Sequence, residues 1–234
     1  MESILIGEIL GTGVLILMGV GTCAAVSLTG SSAKGSGWVF IALGWGLGVL
    51  AGIIVSAPLS GAHLNPAVTT GFLVTGDITG AEFATYIAGQ MIGAMLGATL
   101  VFILYYDFFK QTEDKGTILG TFSTGPTIPN VTLNVLSEVT GTFVLVFFIL
   151  MTTVAPVGPV YVPLLVVGIG ISLGGLTGYA INPARDLGPR IVHALIPLKQ
   201  KGDSNWQYSW IPIVGPLAGG ALAAVVFMAI EQFL

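Results

Sequence analysis

The chain has 234 residues, 54% of them hydrophobic and only 8% charged, with a formal net charge of −4. A soluble domain carries about 25% charged residues, so a chain this poor in charge cannot cover a water-facing exterior, and the mean hydropathy of +0.94 agrees. These values exclude a soluble enzyme, a disordered protein and a nucleic-acid binder with a basic face, and they leave an integral membrane protein.

The first apolar stretch, residues 3–28, contains Glu8 and has no basic lead, so it reads as a membrane span rather than a cleaved signal peptide. A second span covers 37–57. Residues 65–75 are apolar but too short to cross: about 11 helical residues reach roughly 16 Å, half the hydrocarbon core. A third span covers 81–106. Residues 107–132, with Asp107, Lys110, Glu113, Asp114 and Lys115, read as a polar connector. A fourth span (133–155) and a fifth (161–178) precede a second short segment at 182–191, and a sixth span covers 208–233. Continuous apolar runs of this kind predict helices, not the alternating strands of a barrel.

Each short segment opens with the same tripeptide, Asn65-Pro66-Ala67 and Asn182-Pro183-Ala184. Asn is a strong N-cap and Pro suits the first helical position, so each tripeptide predicts a helix start. The glycine-containing approaches, residues 60–64 and 178–181, predict non-helical backbone. Such backbone survives at membrane depth only where protein buries it or a watery cavity lines it. Both segments are therefore predicted to be re-entrant half-helices.

The chain also repeats. Glu8 to Thr12 reappears as Glu138 to Thr142, and Gly89 to Gly93 as Gly215 to Gly219. Three spans and a half-helix, taken twice, give an all-α membrane protein with six transmembrane helices, two half-helices and an inverted 3+3 repeat. The expected organisation is one channel domain, 1–234, with repeat one at about 1–106, a connector at about 107–132 and repeat two at about 133–234. Glycines at Gly44, Gly48 and Gly52, at Gly89, Gly93 and Gly97, and at Gly170, Gly174 and Gly178 are expected to let helices approach closely.

Chemistry is sparse. Two histidines and one cysteine, Cys23, supply no metal cluster, disulfide or catalytic triad, so no metal, cofactor or enzymatic activity is expected. Glu8 and Glu138 are intramembrane carboxylates. One reading has them accept hydrogen bonds from the re-entrant loops; the alternative makes them proton carriers in a coupled transporter of small solutes. Arg185 directly follows the second tripeptide and is expected to line a wet pore, its bland alternative being an ion pair with Asp186.

Together these residues resemble the major intrinsic protein family, the aquaporins and aquaglyceroporins, over essentially the whole chain. The form Asn182 to Asp186 is similar to the bacterial glycerol-facilitator branch. The resemblance implies a filter at Trp45, Gly170, Tyr179 and Arg185. Water-selective members are expected to have His at the position of Gly170; without a side chain there, room is left for Tyr179, where glycerol facilitators typically carry Phe. The resemblance also implies a homotetramer in the lipid bilayer of the cell membrane, with a pore in each protomer and both termini in the cytoplasm. The Lys/Arg distribution runs against that orientation, since Lys34, Lys110, Lys115, Arg185, Arg190, Lys199 and Lys201 all fall on the other side.

The expected pore has Asn65 and Asn182 as midplane donors. The carbonyls of Gly61, Ala62, His63, Leu64, Tyr179, Ala180 and Ile181 form a ladder of acceptors, facing an apolar wall of Trp45 and Tyr179. Glu8, Glu138, Gln90 and Asp186 are expected to hold the loops. The function so read is a passive channel for glycerol, related solutes such as dihydroxyacetone, and water, extending to hydrogen peroxide and undissociated lactic acid, and excluding protons and ions.

Overall fold

A computed structural model describes residues 1–155 and 157–233. Ten helices appear among them. Six form the bundle: α1 (Glu2–Ser27), α2 (Trp38–Ser60), α4 (Gly80–Leu104), α7 (Val131–Val154), α8 (Tyr161–Thr177) and α10 (Ile211–Glu231). Five of the six are long and apolar enough to span a membrane on those grounds alone. The 17 residues of α8 reach about 25 Å, at the lower limit for a span.

The half-helices are α3 (Pro66–Thr75) and α9 (Pro183–Leu195). Their starts agree with the sequence: the Asn65 side chain accepts from the Ala67 N–H, that of Asn182 from Ala184 and Arg185, and a proline occupies the first turn of each. The second half-helix continues to Leu195, past the expected end near 191. Glycines at Gly61, Gly76 and Gly178 close α2, α3 and α8 in the left-handed conformation, which a side chain would resist.

The connector differs from the polar segment expected. It holds two short helices, α5 (Tyr106–Gln111) and α6 (Lys115–Phe122). Phe109, Ile118 and Phe122 on them are fully buried, with the two phenylalanine rings stacked at 5.3 Å. Asp114 caps α6 by accepting from Thr117, whose bonds hold this carboxyl below the usual range. Gln200 donates to the Phe109 and Lys110 carbonyls, and the Thr29 N–H donates to Thr112. The connector is thus folded against the loops on its own face of the bundle.

Glycines set the closest helix contacts. A Cβ at Gly93 of α4 would lie 2.5 Å from the Ile9 carbonyl oxygen of α1, and one at Gly97 2.5 Å from that of Gly13. The second repeat matches: a Cβ at Gly215 of α10 would lie 2.7 Å from that of Glu138 on α7, as one at Gly89 would lie 2.8 Å from that of Glu8. The expectation for Gly44, Gly48 and Gly52 also holds, since all three face α1. It fails at Gly170 and Gly174, whose open faces receive the Tyr179 and Trp38 rings rather than a helix backbone.

Replacing Gly93 by Val should force α1 and α4 apart, because backbone cannot yield as a side chain can. The expected loss is about 1–3 kcal/mol or more, read as a lower melting temperature and loss of monodispersity in detergent. Gly168→Ala, at a glycine with no neighbour within 4 Å, should leave both unchanged.

Candidate functional site

The two re-entrant loops take a backbone course that only tertiary partners can sustain. Ala62, Leu64, Tyr179 and Ile181 have φ of 61°, 55°, 39° and 44°, a region costing non-glycine residues about 1–3 kcal/mol each. Alternation of left-handed residues with others gathers successive N–H groups to one side, making an anion-binding concavity. The anion here is a carboxylate from the bundle. Glu8 Oε1 accepts from the Ser60 hydroxyl at 2.6 Å and the His63 N–H at 3.1 Å; Oε2 accepts from the Leu64 N–H at 2.7 Å and Gln90 Nε2 at 2.8 Å. Glu138 repeats the arrangement, with Thr177 and Ala180 on Oε1 and Ile181 on Oε2. Both acids are fully buried, and neither lines the cavity described below.

In a trans peptide the N–H and C=O point in opposite directions. N–H groups turned toward the carboxylates therefore turn the carbonyls of Ala62, His63, Tyr179 and Ala180 away from them. The next two carbonyls have partners across the molecule: Asn65 Nδ2 donates to the Ile181 oxygen and Asn182 Nδ2 to the Leu64 oxygen, each at 2.8 Å. This reciprocal pair ties the two half-helix tips together. Each amide NH2 has two hydrogens, so one on each asparagine remains for another acceptor.

Beside the tips lies a cavity. The re-entrant segments contribute Ala62, His63, Leu64, Asn65, Ala180, Ile181, Asn182 and Arg185 to its lining. The rest is apolar, and more aliphatic than the two aromatics expected from the sequence: Leu15, Val49, Ile53, Val68, Leu145, Ile149, Val162 and Val166 join Trp45 and Tyr179. The spacing of Trp45, Val49 and Ile53 by four was a helical-face signal, but these helices are apolar all round, so periodicity cannot separate pore from lipid. Gly61, Pro66, Ala67, Pro183 and Ala184 stand off the lining; the last four are buried as half-helix starts. Gly170 stands behind the Tyr179 ring: a Cβ there would lie 2.8 Å from the ring's Cζ.

Arg185 stacks on Trp45, its guanidinium carbon 3.8 Å from the ring centroid, a cation–π contact. Its ion-pair alternative is overturned. Asp186 pairs with Arg190, one turn on along α9, at 2.8 Å. All five N–H groups of Arg190 are used, by Asp186 and by the carbonyls of Thr124, Ser204 and Asn205. Asp186 also accepts from the Thr124 N–H and hydroxyl at 2.7 Å each. The Asp186–Arg190 spacing of four on one helix is itself a sequence signal for the pair; the further partners Thr124, Ser204 and Asn205 are distant in sequence and carry no such signal. Among the described residues, no group of three or more His, Cys, Asp or Glu could hold a metal.

Two half-helices meeting at their tips within an apolar bundle, beside a cavity lined by both polar and apolar groups, define a membrane pore for small solutes. Comparison with known proteins agrees. The profile of the Major intrinsic protein family matches residues 2–227. The chain is 51% identical to the glycerol uptake facilitator protein of Bacillus subtilis, covering 95% of this chain and 83% of that protein. It is 52% identical to glycerol uptake facilitator protein 3 of Lactiplantibacillus plantarum, covering 95% of each. The crystal structure of the aquaglyceroporin from Plasmodium falciparum superposes with a TM-score of 0.86 at 32% identity, covering 98% of this chain and 96% of that one. The chain belongs to the major intrinsic protein family; it is an integral membrane channel, not an enzyme.

The loop-holding role of Glu138 gives a direct expectation. Glu138→Ala strands the buried N–H groups of Ala180 and Ile181 at about 1–3 kcal/mol each and should abolish assembly and flux. Glu138→Gln keeps one acceptor oxygen and should retain part of the flux. Size-exclusion profiles and solute uptake in liposomes measure both.

Proposed function

We propose that this channel conducts glycerol, related solutes such as dihydroxyacetone, and water, down their gradients. The observation that carries the reading is the mixed lining of the cavity, loop backbone and asparagine amides together with aliphatic side chains. Glycerol presents hydroxyls along one edge and C–H groups along the other, so it meets loop carbonyls and asparagine amides on one side and aliphatic side chains on the other. Exchange of hydration for such contacts lowers the barrier without deep binding. Positive ends of both half-helices meet at Asn65 and Asn182, and with Arg185 they oppose cations and excess protons. The names of the relatives, glycerol uptake facilitators, support the same solute class.

The filter is assigned to Trp45, Gly170, Tyr179 and Arg185. Trp45, Tyr179 and Arg185 line one cavity, and Gly170 admits the tyrosine ring. The protein is proposed to be a homotetramer in the cell membrane with both termini cytoplasmic. A cavity lined from one chain supports a pore in each protomer. Local structural work for two of the cations weakens their weight as topology signals: Arg190 closes its buried knot, and Lys201 donates to the Ala194 and Ile196 carbonyls at the end of α9. The carrier alternative is not favoured, since both oxygens of each acid are engaged by fixed donors and neither acid lines the cavity.

In proteoliposomes, glycerol and water uptake should follow the solute gradient alone and exceed that of protein-free vesicles. Accumulation of glycerol driven by an imposed pH gradient, or no excess uptake, would overturn the reading.

The same passage is proposed to admit hydrogen peroxide and undissociated lactic acid. Lactic acid is nearly the size of glycerol, and the Tyr179 hydroxyl has no hydrogen-bond partner among the described residues. The lactate anion would lose its hydration in a low-dielectric pore, a cost far above what contacts return. At fixed total lactate, channel-dependent flux should rise as pH falls and track the neutral acid. Flux that tracks the anion, or none beyond the vesicle leak, removes this solute.

A further inference from the structure

We infer that Trp38 is a positioning and specificity-determining residue of the pore, acting through Tyr179; the inference rests on the channel reading above. Trp38 is the first residue of α2 and is not among the residues that line the cavity. Its indole N–H donates to the carbonyl oxygen of Gly170, 2.7 Å away in the middle of α8. Its ring stands edge-on to that of Tyr179, with centroids 5.9 Å apart and planes at 72°.

Gly170 and Gly174 make this contact possible. They lie one turn apart on α8 and leave a shallow trough. A Cβ on Gly174 would lie 2.5 Å from Trp38 Cζ2 and 2.7 Å from Tyr179 Cδ1; one on Gly170 would lie 2.8 Å from Tyr179 Cζ. Both rings therefore share the trough, with Tyr179 on the cavity lining and Trp38 beside it. Tyr179 springs from a backbone at φ 39°, so its ring direction depends on what packs around it. The glycines fix how deep the tyrosine can sink into α8. Trp38 fixes its lateral position, and with it the free width between Tyr179 and the stacked Trp45–Arg185 pair.

A tryptophan near a helix end can also serve as an interfacial membrane anchor, and Trp38 is 39% exposed. An anchor turns its N–H toward water and headgroups. This one turns it inward to a helix carbonyl, and its ring stands against Gly174 and Tyr179.

The test reads selectivity, which a general loss of stability does not move. Uptake of water, glycerol, erythritol and xylitol is measured in proteoliposomes at matched protein density. Trp38→Ala removes the lateral stop and should raise the xylitol-to-glycerol flux ratio by about three- to tenfold. Trp38→Phe keeps a ring but loses the hydrogen bond, and should shift the ratio in the same direction by less. Gly174→Ala pushes on both rings from behind and should act oppositely, lowering the glycerol-to-water ratio. Adding Trp38→Ala to Gly174→Ala should restore it. Ratios equal to wild type in assembled Trp38→Ala and Gly174→Ala proteins would overturn the role of Trp38 while leaving the channel reading intact. Absence of glycerol flux in the wild type would instead overturn the channel reading itself.

Discussion

Two buried carboxylates without a cationic partner hold the conducting part of this molecule together. Glu8 and Glu138 sit in the bundle, where an uncompensated charge is costly, and each is compensated by a set of N–H and O–H donors from one re-entrant loop. The dependence runs both ways. Without the carboxylates, the loops would carry unpaired buried N–H groups and left-handed residues with nothing to enforce them. Because peptide geometry sets N–H and C=O in opposite directions, the bonds that satisfy the acids also orient the carbonyls proposed to guide solute. Anchoring and the proposed solute path are two sides of the same peptide planes.

That arrangement is braced at three levels. At the tips, the asparagines exchange amide bonds with the opposite loop, so neither half-helix can shift alone. Around them, glycines bring α4 onto α1 and α10 onto α7, and Gly7, Gly11 and Gly52 bring α1 onto α2, whose following loop Glu8 holds. On the connector face, Arg190 gathers α9, the connector and the 204–205 loop around Asp186. This last pair follows the rule for buried ions: Arg190 is acceptable in an apolar interior because every donor it carries has a partner.

Glycine serves two ends here through the same absence of a side chain. At Gly89, Gly93, Gly215 and Gly219 it allows helix backbone to meet helix backbone, which in a membrane supplies the packing that hydrophobic burial cannot. At Gly170 and Gly174 it makes room for aromatic rings. The spacing is identical; the occupant differs because a re-entrant loop passes α8 at that height.

The sequence by itself determined the local facts: apolar runs long enough to span, two identical helix starts, paired acids at matching places in two repeats, and an arginine after the second tripeptide. Each follows from chain-local physics, such as capping by asparagine or the length needed to cross hydrocarbon. The tertiary structure decided which side chains meet. Asp186 turned to Arg190 rather than Arg185, the apolar flank proved mainly aliphatic, the connector folded into two helices with a buried core, and Trp38 reached the Tyr179 ring from another helix. The aliphatic lining and the Trp38–Tyr179 contact were not legible beforehand, because helices apolar on every face carry no periodic mark of what they face; the Asp186–Arg190 pair, four residues apart on one helix, lay within reach of local reading. The contacts themselves join residues as far apart as Trp38 and Gly170, 132 positions along the chain.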